Sequence, residues 1–229
     1  MEKKIEKILK LSEIEPSNQN ISNFVKFYNL LIEGNKICNL TAIVEEDEVI
    51  EKHFLDSIFP QKYFKNNVKI IDVGAGAGFP SFPLKIVRDD LDFTLLDSLN
   101  KRVTFLNNTI NALNLTKIKA IHGRAEDFSK NVNYREKFDI VTARAVANLK
   151  VLSEYCLPFV KIGGQFIAYK SANCDKEIED AKEIISLLGG KINEIVDYKI
   201  GDNSRKLIII EKIKSTPNKY PRNLKQIKK

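Results

Sequence analysis

The chain has 229 residues, of which 43% are hydrophobic and 29% are charged, and its formal net charge is +7. This length suits one α/β domain with a small accessory segment, and the composition is that of an ordinary globular protein. No apolar run approaches the roughly 20 residues that span a bilayer, and the charged N-terminus does not resemble a signal peptide, so we expect a cytoplasmic protein.

Residues 1–66 are predicted to form a helical accessory segment. Apolar residues recur at helical spacing over residues 5–11 and 21–32. The Gly34-Asn35 pair is a typical stop signal and should end the second helix. A third helix is expected over residues 45–59, before Pro60.

From residue 67 onward, short apolar strands alternate with helices, which favours a parallel sheet. The last two strands have no helix between them and must therefore pair antiparallel. Five parallel strands that end in an antiparallel hairpin are the outline of a Rossmann-like class I methyltransferase fold. The predicted strands are residues 68–73, 92–97, 117–122, 138–143, 165–169, 192–200 and 206–213, and the predicted helices are 100–113, 149–160 and 175–188. We expect a methyltransferase domain at 67–213 and a basic tail at 214–229.

The loop after the first strand reads IIDVGAGAGFP over residues 70–80. A dinucleotide-binding fingerprint requires a third glycine where this chain has Phe79. S-adenosylmethionine has no pyrophosphate and needs bare backbone instead, so Gly74 and Gly76 are predicted to contact this cofactor. A strand–helix turn that binds nothing is the alternative interpretation.

Two later strand ends should meet this loop at the same edge of the sheet. Asp97 ends the second predicted strand and could accept hydrogen bonds from both hydroxyls of a ribose, in NAD as well as in S-adenosylmethionine. The segment after the third strand could place an acid or a backbone amide against adenine. Glu126 and Asp127 could equally be acids at a helix N-terminus.

Arg144 follows the fourth strand, at the position that faces the transferred methyl group in this fold. Its guanidinium could hold a carboxylate, a phosphate or a guanine edge, or form a structural salt bridge. The chain has neither a cysteine nucleophile nor a (D/N)PPY motif at this position. Three scattered cysteines and two histidines, without a CxxC pair, predict no metal site.

Several motifs in order along the chain resemble the bacterial small-subunit rRNA guanine-N7 methyltransferase family, known as RsmG or GidB. They are Asn39-Leu40-Thr41, residues 53–57 (HFLDS), the loop 72–80, residues 123–126 (GRAE), residues 142–147 (TARAVA) and Tyr220-Pro221-Arg222. The resemblance implies methyl transfer from S-adenosylmethionine to nitrogen 7 of one guanine in the 530-loop region of 16S rRNA. Cofactor contacts are implied for Gly74, Phe79, Ala125, Glu126 and Arg144, with Asp97 at the ribose.

The chain departs from the family pattern at four places. Ser81 replaces a usual glycine, Asp97 a usual glutamate and Thr142 a usual serine, and the tail lacks the usual Gly-Thr-Pro. Asn39 and Thr41 favour turn and capping roles. His53, Asp56 and Ser57 lie on one helical face, where they could line the cofactor pocket or join the helices to the sheet.

The excess positive charge lies at the C-terminal end, from Lys212 onward, where there are seven basic residues and no acid. Such a cluster is typical of a nucleic-acid contact, although a solvated terminus has the same composition. We expect it to bind the small subunit, with the protein acting as a monomer. The seven residues are Lys212, Lys214, Lys219, Arg222, Lys225, Lys228 and Lys229.

Two other functions remain open from the sequence. A non-catalytic ribosome-binding or assembly factor could keep a vestigial pocket, but the intact loop, Asp97 and Arg144 disfavour it. An NAD-dependent oxidoreductase could share the fold and Asp97, but Phe79 and the final hairpin disfavour it. For the methyltransferase, guanine nitrogen 7 already carries an in-plane lone pair, so no general base is expected and Arg144 would position the substrate.

Overall fold

The computed structural model describes residues 1–222, in which a seven-stranded sheet separates two layers of helices. Five strands are parallel, and the last two form an antiparallel hairpin at one edge. The strands are β1 (Lys69–Val73), β2 (Asp92–Asp97), β3 (Ile118–His122), β4 (Phe138–Arg144), β5 (Val160–Ser171), β6 (Gly190–Ile200) and β7 (Asn203–Lys212), in the order β3-β2-β1-β4-β5-β7-β6. This topology confirms the predicted fold class.

Helices alternate with the strands, including the three predicted after the second, fourth and fifth strands; those after the first and third strands were not predicted. They are α1 (Glu2–Leu11), α2 (Asn18–Cys38), α3 (Glu46–Val49), α4 (Asp56–Ile58), α5 (Ser81–Val87), α6 (Asn100–Ala112), α7 (Ala125–Phe128), α8 (Leu149–Cys156) and α9 (Asp175–Leu187). A π-helical turn, Ile50–Leu55, joins α3 to α4. The predicted third helix is therefore a helical segment with a π-turn in its middle.

Helix α2 continues through the predicted stop signal, so that prediction was wrong. The helix ends at Cys38, and Asn39 adopts the left-handed conformation that commonly ends helices. Gly34 lacks a side chain for a different reason: a Cβ there would lie 2.6 Å from the ring of Phe105 on α6. The glycine allows two helices to pack closely. Asn39 has the predicted turn-forming role.

Strand β5 is longer than its predicted core of residues 165–169 and contains the Gly163-Gly164 pair that was expected to precede it. A Cβ on Gly164 would lie 2.6 Å from the carbonyl oxygen of Asp139. The ladder with β4 shifts register at this point, between Phe138 and Ile140. Gly164 therefore allows an irregular strand to pair closely with β4.

Two hydrophobic clusters lie on opposite faces of the sheet. One contains Phe24, Phe27 and Phe54 from the N-terminal helices together with residues of α5, α6 and the sheet. The other contains α8 and α9. The N-terminal helices share a core with the sheet, which fixes their position beside the strand ends that form the site. Among the helices of residues 1–222, none has the length and apolarity that a membrane crossing requires.

Candidate active site

The glycine loop between β1 and α5 is held in a left-handed backbone conformation at three points. Gly74, Gly76 and Gly78 have φ angles of 76°, 57° and 85°, a region that is costly for residues with a Cβ. A Cβ on Gly78 would lie 2.0 Å from the ring of Phe82, whereas one on Gly76 would meet nothing closer than the Gly74 oxygen at 3.8 Å. Gly78 is thus needed for packing, and Gly76 presents bare backbone to open space.

Asp97, at the end of β2, fixes this loop. Its carboxylate accepts a hydrogen bond from the Gly76 amide at 2.9 Å and one from the Leu99 amide at 2.8 Å. The side chain is almost fully buried. A carboxylate can accept about four hydrogen bonds, so acceptor capacity remains after these two.

A small cavity of about 220 Å³ lies beside the loop and the end of β3. Gly74, Ala125 and Glu126 line it, together with apolar atoms of Leu96 and Val146. Glu126 lies in the first turn of α7, and its side chain is 15% exposed. The structure thus brings three of the predicted cofactor residues to one cavity, while Asp97 lies outside its lining and supports the adjacent loop.

Arg144, at the end of β4, lies on the other side of the loop and is part of a polar cluster. Its guanidinium forms an ion pair with Asp56 at 2.9 Å and donates to Nδ1 of His53 at 3.1 Å. Tyr198, from β6, donates its hydroxyl hydrogen to the second oxygen of Asp56 at 2.9 Å. The salt bridge considered for Arg144 is therefore present, and its partner is one of the accessory-segment residues.

The protonation of His53 follows from its neighbours. Nδ1 lies 3.1 Å from an Arg144 guanidinium nitrogen and 3.2 Å from the Lys52 carbonyl oxygen. Because a guanidinium can only donate, we assign Nδ1 as the acceptor and place the proton of the neutral ring on Nε2, which then donates to Oγ1 of Thr41 at 2.9 Å. Burial and the positive charge of Arg144 lower the pKa of His53 to about 3. The imidazole is thus neutral at physiological pH, and both of its nitrogens are engaged.

Phe79 packs against His53 and Arg144 of this polar cluster. Its ring stacks on His53 with a centroid distance of 4.5 Å, and the Arg144 guanidinium carbon lies 4.9 Å from its centroid. The ring is 6% exposed and also packs against Phe27. Its side chain thus links the accessory helices to the glycine loop, and the face of its ring packs against the Arg144 guanidinium.

A second, larger cavity of about 400 Å³ opens above the cluster. Sequence reasoning missed four of its polar lining residues, Lys52, Lys170, Tyr198 and Arg205. They come from four separate segments, and only the hairpin geometry brings Tyr198 and Arg205 beside Asp56. Ala145 lines this cavity and Val146 lines the smaller one, so the two cavities lie on either side of one short loop.

The structure corrects part of the predicted basic surface. Lys212 is fully buried, and its ammonium donates to the Leu157 carbonyl and to Oγ1 of Thr216, both at 2.6 Å. Burial lowers the pKa of Lys212 to about 8. Lys212 cannot contact RNA from this position, so its assignment to the RNA-binding surface was wrong.

The other basic residues of the tail differ in their surroundings. Arg222 forms a two-pronged ion pair with Glu154, which is buried in α8, with a closest distance of 2.7 Å. Lys214 and Lys219 are exposed. The predicted contacts Lys225, Lys228 and Lys229 lie outside the described residues.

Within residues 1–222, no group of three or more His, Cys, Asp or Glu side chains is placed to hold a metal ion. Cys156 and Cys174 are buried free thiols. Burial raises the pKa of the Cys156 thiol well above its ordinary value. These two cysteines therefore contribute to packing.

Comparison with known proteins gives concordant results. The family model GidB, described as rRNA small subunit methyltransferase G, matches residues 20–208. Ribosomal RNA small subunit methyltransferase G of Clostridium novyi is 50% identical over 214 residues, covering 92% of this chain and 88% of that protein. The protein of the same name from Pediococcus pentosaceus is 51% identical over 214 residues, covering 90% and 88%.

The fold also has solved counterparts among class I methyltransferases. The structure of M. jannaschii TYW2 in complex with AdoMet matches with a TM-score of 0.53 and 16% identity, covering 69% of this chain and 77% of that one. At this level of identity the match establishes a shared fold, in agreement with the strand order described above.

Proposed function

Because the chain belongs to the GidB family of rRNA small subunit methyltransferases, we propose that it transfers a methyl group from S-adenosylmethionine to nitrogen 7 of one guanine in the 530-loop region of 16S rRNA. The observation that carries this proposal is the pair of cavities on either side of residues 145 and 146. One is lined by the backbone of Gly74 and by one acidic residue, Glu126, which suit an adenosyl group. The other is lined by four basic residues and one acidic residue.

The residues of the smaller cavity and of the adjacent glycine loop fit S-adenosylmethionine. Gly74 lines the cavity, and a Cβ added to Gly76 would meet no protein atom closer than the Gly74 oxygen at 3.8 Å. Glu126 lines the cavity, and Asp97 supports the adjacent loop from outside the lining. Both are carboxylates with acceptor capacity for adenine and for ribose hydroxyls, and Ala125 gives an apolar wall. When bound, the cofactor supplies an electrophilic methyl group on a positively charged sulfur.

The chemistry at guanine nitrogen 7 needs alignment and no proton removal, because the lone pair is already available. The polar cluster agrees with this requirement. Neither nitrogen of His53 is free to accept a proton, and Asp56 is bound to both Arg144 and Tyr198. The protein would accelerate the reaction by holding the two reactants in line, an effect worth up to roughly 7–11 kcal/mol in favourable cases.

Arg144 has a positioning role in this scheme. Methylation at nitrogen 7 places a positive charge on the base, which an isolated arginine would oppose. Because Asp56 lies 2.9 Å from the Arg144 guanidinium, the pair is close to neutral as a unit. Arg144 can therefore shape the methyl-transfer site without repelling the charged product.

The substrate is the small ribosomal subunit or its rRNA, and we place the reaction in the cytoplasm, with the protein as a monomer. The exposed Lys214 and Lys219, with the basic residues after residue 222, would contact RNA through phosphate groups. The division into an accessory segment at 1–66, a catalytic domain at 67–213 and a tail at 214–229 is part of this proposal. The tail would begin on the catalytic domain, because Arg222 is paired with Glu154.

The test is methyl transfer from labelled S-adenosylmethionine to small subunits from cells that lack this protein, followed by nucleoside analysis. Recovery of 7-methylguanosine supports the proposal, and label on another nucleoside overturns the substrate assignment. Stoichiometric binding to subunits without transfer would indicate a binding factor. A titration in which NAD binds and S-adenosylmethionine does not would indicate an oxidoreductase.

A further inference from the structure

The larger cavity has an uneven distribution of charge. Four basic residues line it, Lys52, Arg144, Lys170 and Arg205, against one acidic residue, Asp56. His53 adds no charge near neutral pH because burial and Arg144 hold its pKa at about 3. The lining is therefore cationic.

Two of the four basic residues are tied into the protein framework. Arg144 is paired with Asp56 at 2.9 Å. Lys170 is paired with Glu177 at 2.6 Å and donates to the Ala147 carbonyl at 3.0 Å, so it holds the loop between β4 and α8. Both side chains are almost buried, at 13% and 11% exposed. Both line the cavity, and their ion pairs hold them in place.

Arg205 lies at the rim and is held more loosely. Its Nε is 3.8 Å from Asp56, and one terminal nitrogen donates to the neighbouring Ser204 carbonyl at 3.3 Å. The side chain is 25% exposed. A guanidinium presents five N–H groups in a planar fork that matches the oxygens of a phosphate. Arg205 thus has donors that can face an anion entering the cavity.

The position of the cavity specifies what that anion is attached to. The cavity adjoins the proposed cofactor site across residues 145 and 146. In an A-form RNA helix, guanine nitrogen 7 faces the deep, narrow major groove, which side chains cannot read. Enzymes that cannot reach their target atom in this way take the nucleotide out of its stack and into a pocket, which leaves the backbone phosphate of that nucleotide at the pocket entrance.

We propose that the larger cavity receives the target guanosine of the rRNA, extruded from its neighbours, and that Arg205 binds the phosphate of that nucleotide at the rim. This inference rests on the proposed function and adds the acceptor site to it. Arg205 positions the nucleotide, and the Asp56–Arg144 pair with neutral His53 forms the floor on which the base lies. Lys52, which is 30% exposed and paired with Glu48, also lines the cavity.

The test compares Arg205→Gln with Lys199→Gln. Lys199 is exposed, lies on β6 opposite Ser204, and is not part of the cavity lining. The two changes remove the same charge from neighbouring positions. Steady-state methyl transfer to small subunits from cells lacking the protein gives KM and kcat, and a binding assay without cofactor gives the salt dependence of subunit affinity.

We expect Arg205→Gln to raise KM for the subunit by about tenfold or more, as for loss of a charged hydrogen bond, and Lys199→Gln to change it by less than about twofold. The salt slope of binding should fall by about one only in Arg205→Gln. Melting temperature and affinity for S-adenosylmethionine should match wild type, and Arg205→Lys should recover part of the KM.

Equal KM values and equal salt slopes for the Arg205 and Lys199 variants would refute the inference. A loss in kcat with unchanged KM would also refute it, because phosphate binding acts on substrate affinity. Failure of the proposed function has a different signature, since wild type itself would then transfer no methyl group to the subunit. The salt slope is measured without methyl transfer and so reports on Arg205 separately.

Discussion

Asp72 lies in strand β1. Because of this residue, we expect the free energy of unfolding of the cofactor-free protein to fall as pH rises. Its carboxyl group is fully buried, and the described residues provide one hydrogen bond to it, from the Ser81 hydroxyl at 2.6 Å. Burial raises the pKa of Asp72 to about 7 from an ordinary value of 3.8, although Ser81 and the charge of Arg144 act in the opposite direction. The folded state therefore holds this proton more tightly than the unfolded state.

The sign and size of the effect follow from this difference in pKa. Between the two pKa values, folding takes up a proton, so each increase in pH lowers the free energy of unfolding. One pKa unit corresponds to about 1.4 kcal/mol, so the full penalty above the folded-state pKa is up to about 4 kcal/mol. Below about pH 4 the carboxyl is protonated in both states and the effect vanishes.

Asp72→Asn removes the ionisation and nearly keeps the shape of the side chain. We expect the free energy of unfolding of this variant, relative to wild type, to increase by about 2–3 kcal/mol from about pH 5 to about pH 8.5. Urea unfolding of the cofactor-free protein across that range measures it.

Asp90→Asn is the matched control. The Arg88 side chain lowers the pKa of Asp90 to about 2, so the stability from its ionised form is present above the unfolded pKa and is lost only as pH falls toward 2. Over the same range its curve should run parallel to that of wild type. If the curve of Asp72→Asn is also parallel to wild type, Asp72 does not titrate as its burial requires, and the reasoning is wrong.

Three further outcomes are expected. Gly76→Ala should fold, at a cost in stability of about 1–2 kcal/mol for its left-handed backbone, and calorimetry should show a loss of affinity for S-adenosylmethionine. Gly78→Ala should unfold, because its Cβ would lie 2.0 Å from the ring of Phe82. The single-turnover rate of methyl transfer should be flat from about pH 6 to about pH 9, because the pKa of His53 lies near 3. A steep rise in rate with one ionisation within this pH range would contradict the scheme without a general base. Deleting residues 214–229 should lower the melting temperature, because it removes the buried residues Thr216 and Tyr220. Deleting only residues 223–229 should flatten the salt dependence of subunit binding and leave the affinity for the cofactor unchanged.

The fold was largely predictable because its strands are short apolar runs between clear breaks. The seven strands and helices α6, α8 and α9 match the prediction, and the missing helix before β7 identified the hairpin. The short helices α5 and α7 were not predicted. Glycines caused the errors in element boundaries. Gly34 was interpreted as a helix stop and Gly164 was placed before the fifth strand, but each allows a close approach, to Phe105 and to the Asp139 carbonyl. A sequence does not distinguish these two uses of glycine.

The site was predictable only in part, because local motifs identify backbone features better than side-chain partners. The glycine loop and Asp97 form a local unit, joined by the hydrogen bond from the Gly76 amide. The pairing of Asp56 with Tyr198 joins residues 142 positions apart and depends on the hairpin folding over the accessory segment. Lys212 is a further example, because its positive charge suggested an RNA contact and the sequence did not show that its side chain is buried.

The arrangement of charge around the larger cavity reconciles two requirements of the proposed reaction. RNA binding favours positive charge, while methylation at nitrogen 7 creates a positive charge that nearby cations would oppose. Here the floor is close to neutral, because Asp56 offsets Arg144 and His53 carries no proton on Nδ1. The accessory segment supplies both Asp56 and His53, so it is a structural part of the site. Positive charge is concentrated at the rim, at Lys52 and Arg205, where phosphates rather than the reacting base would lie.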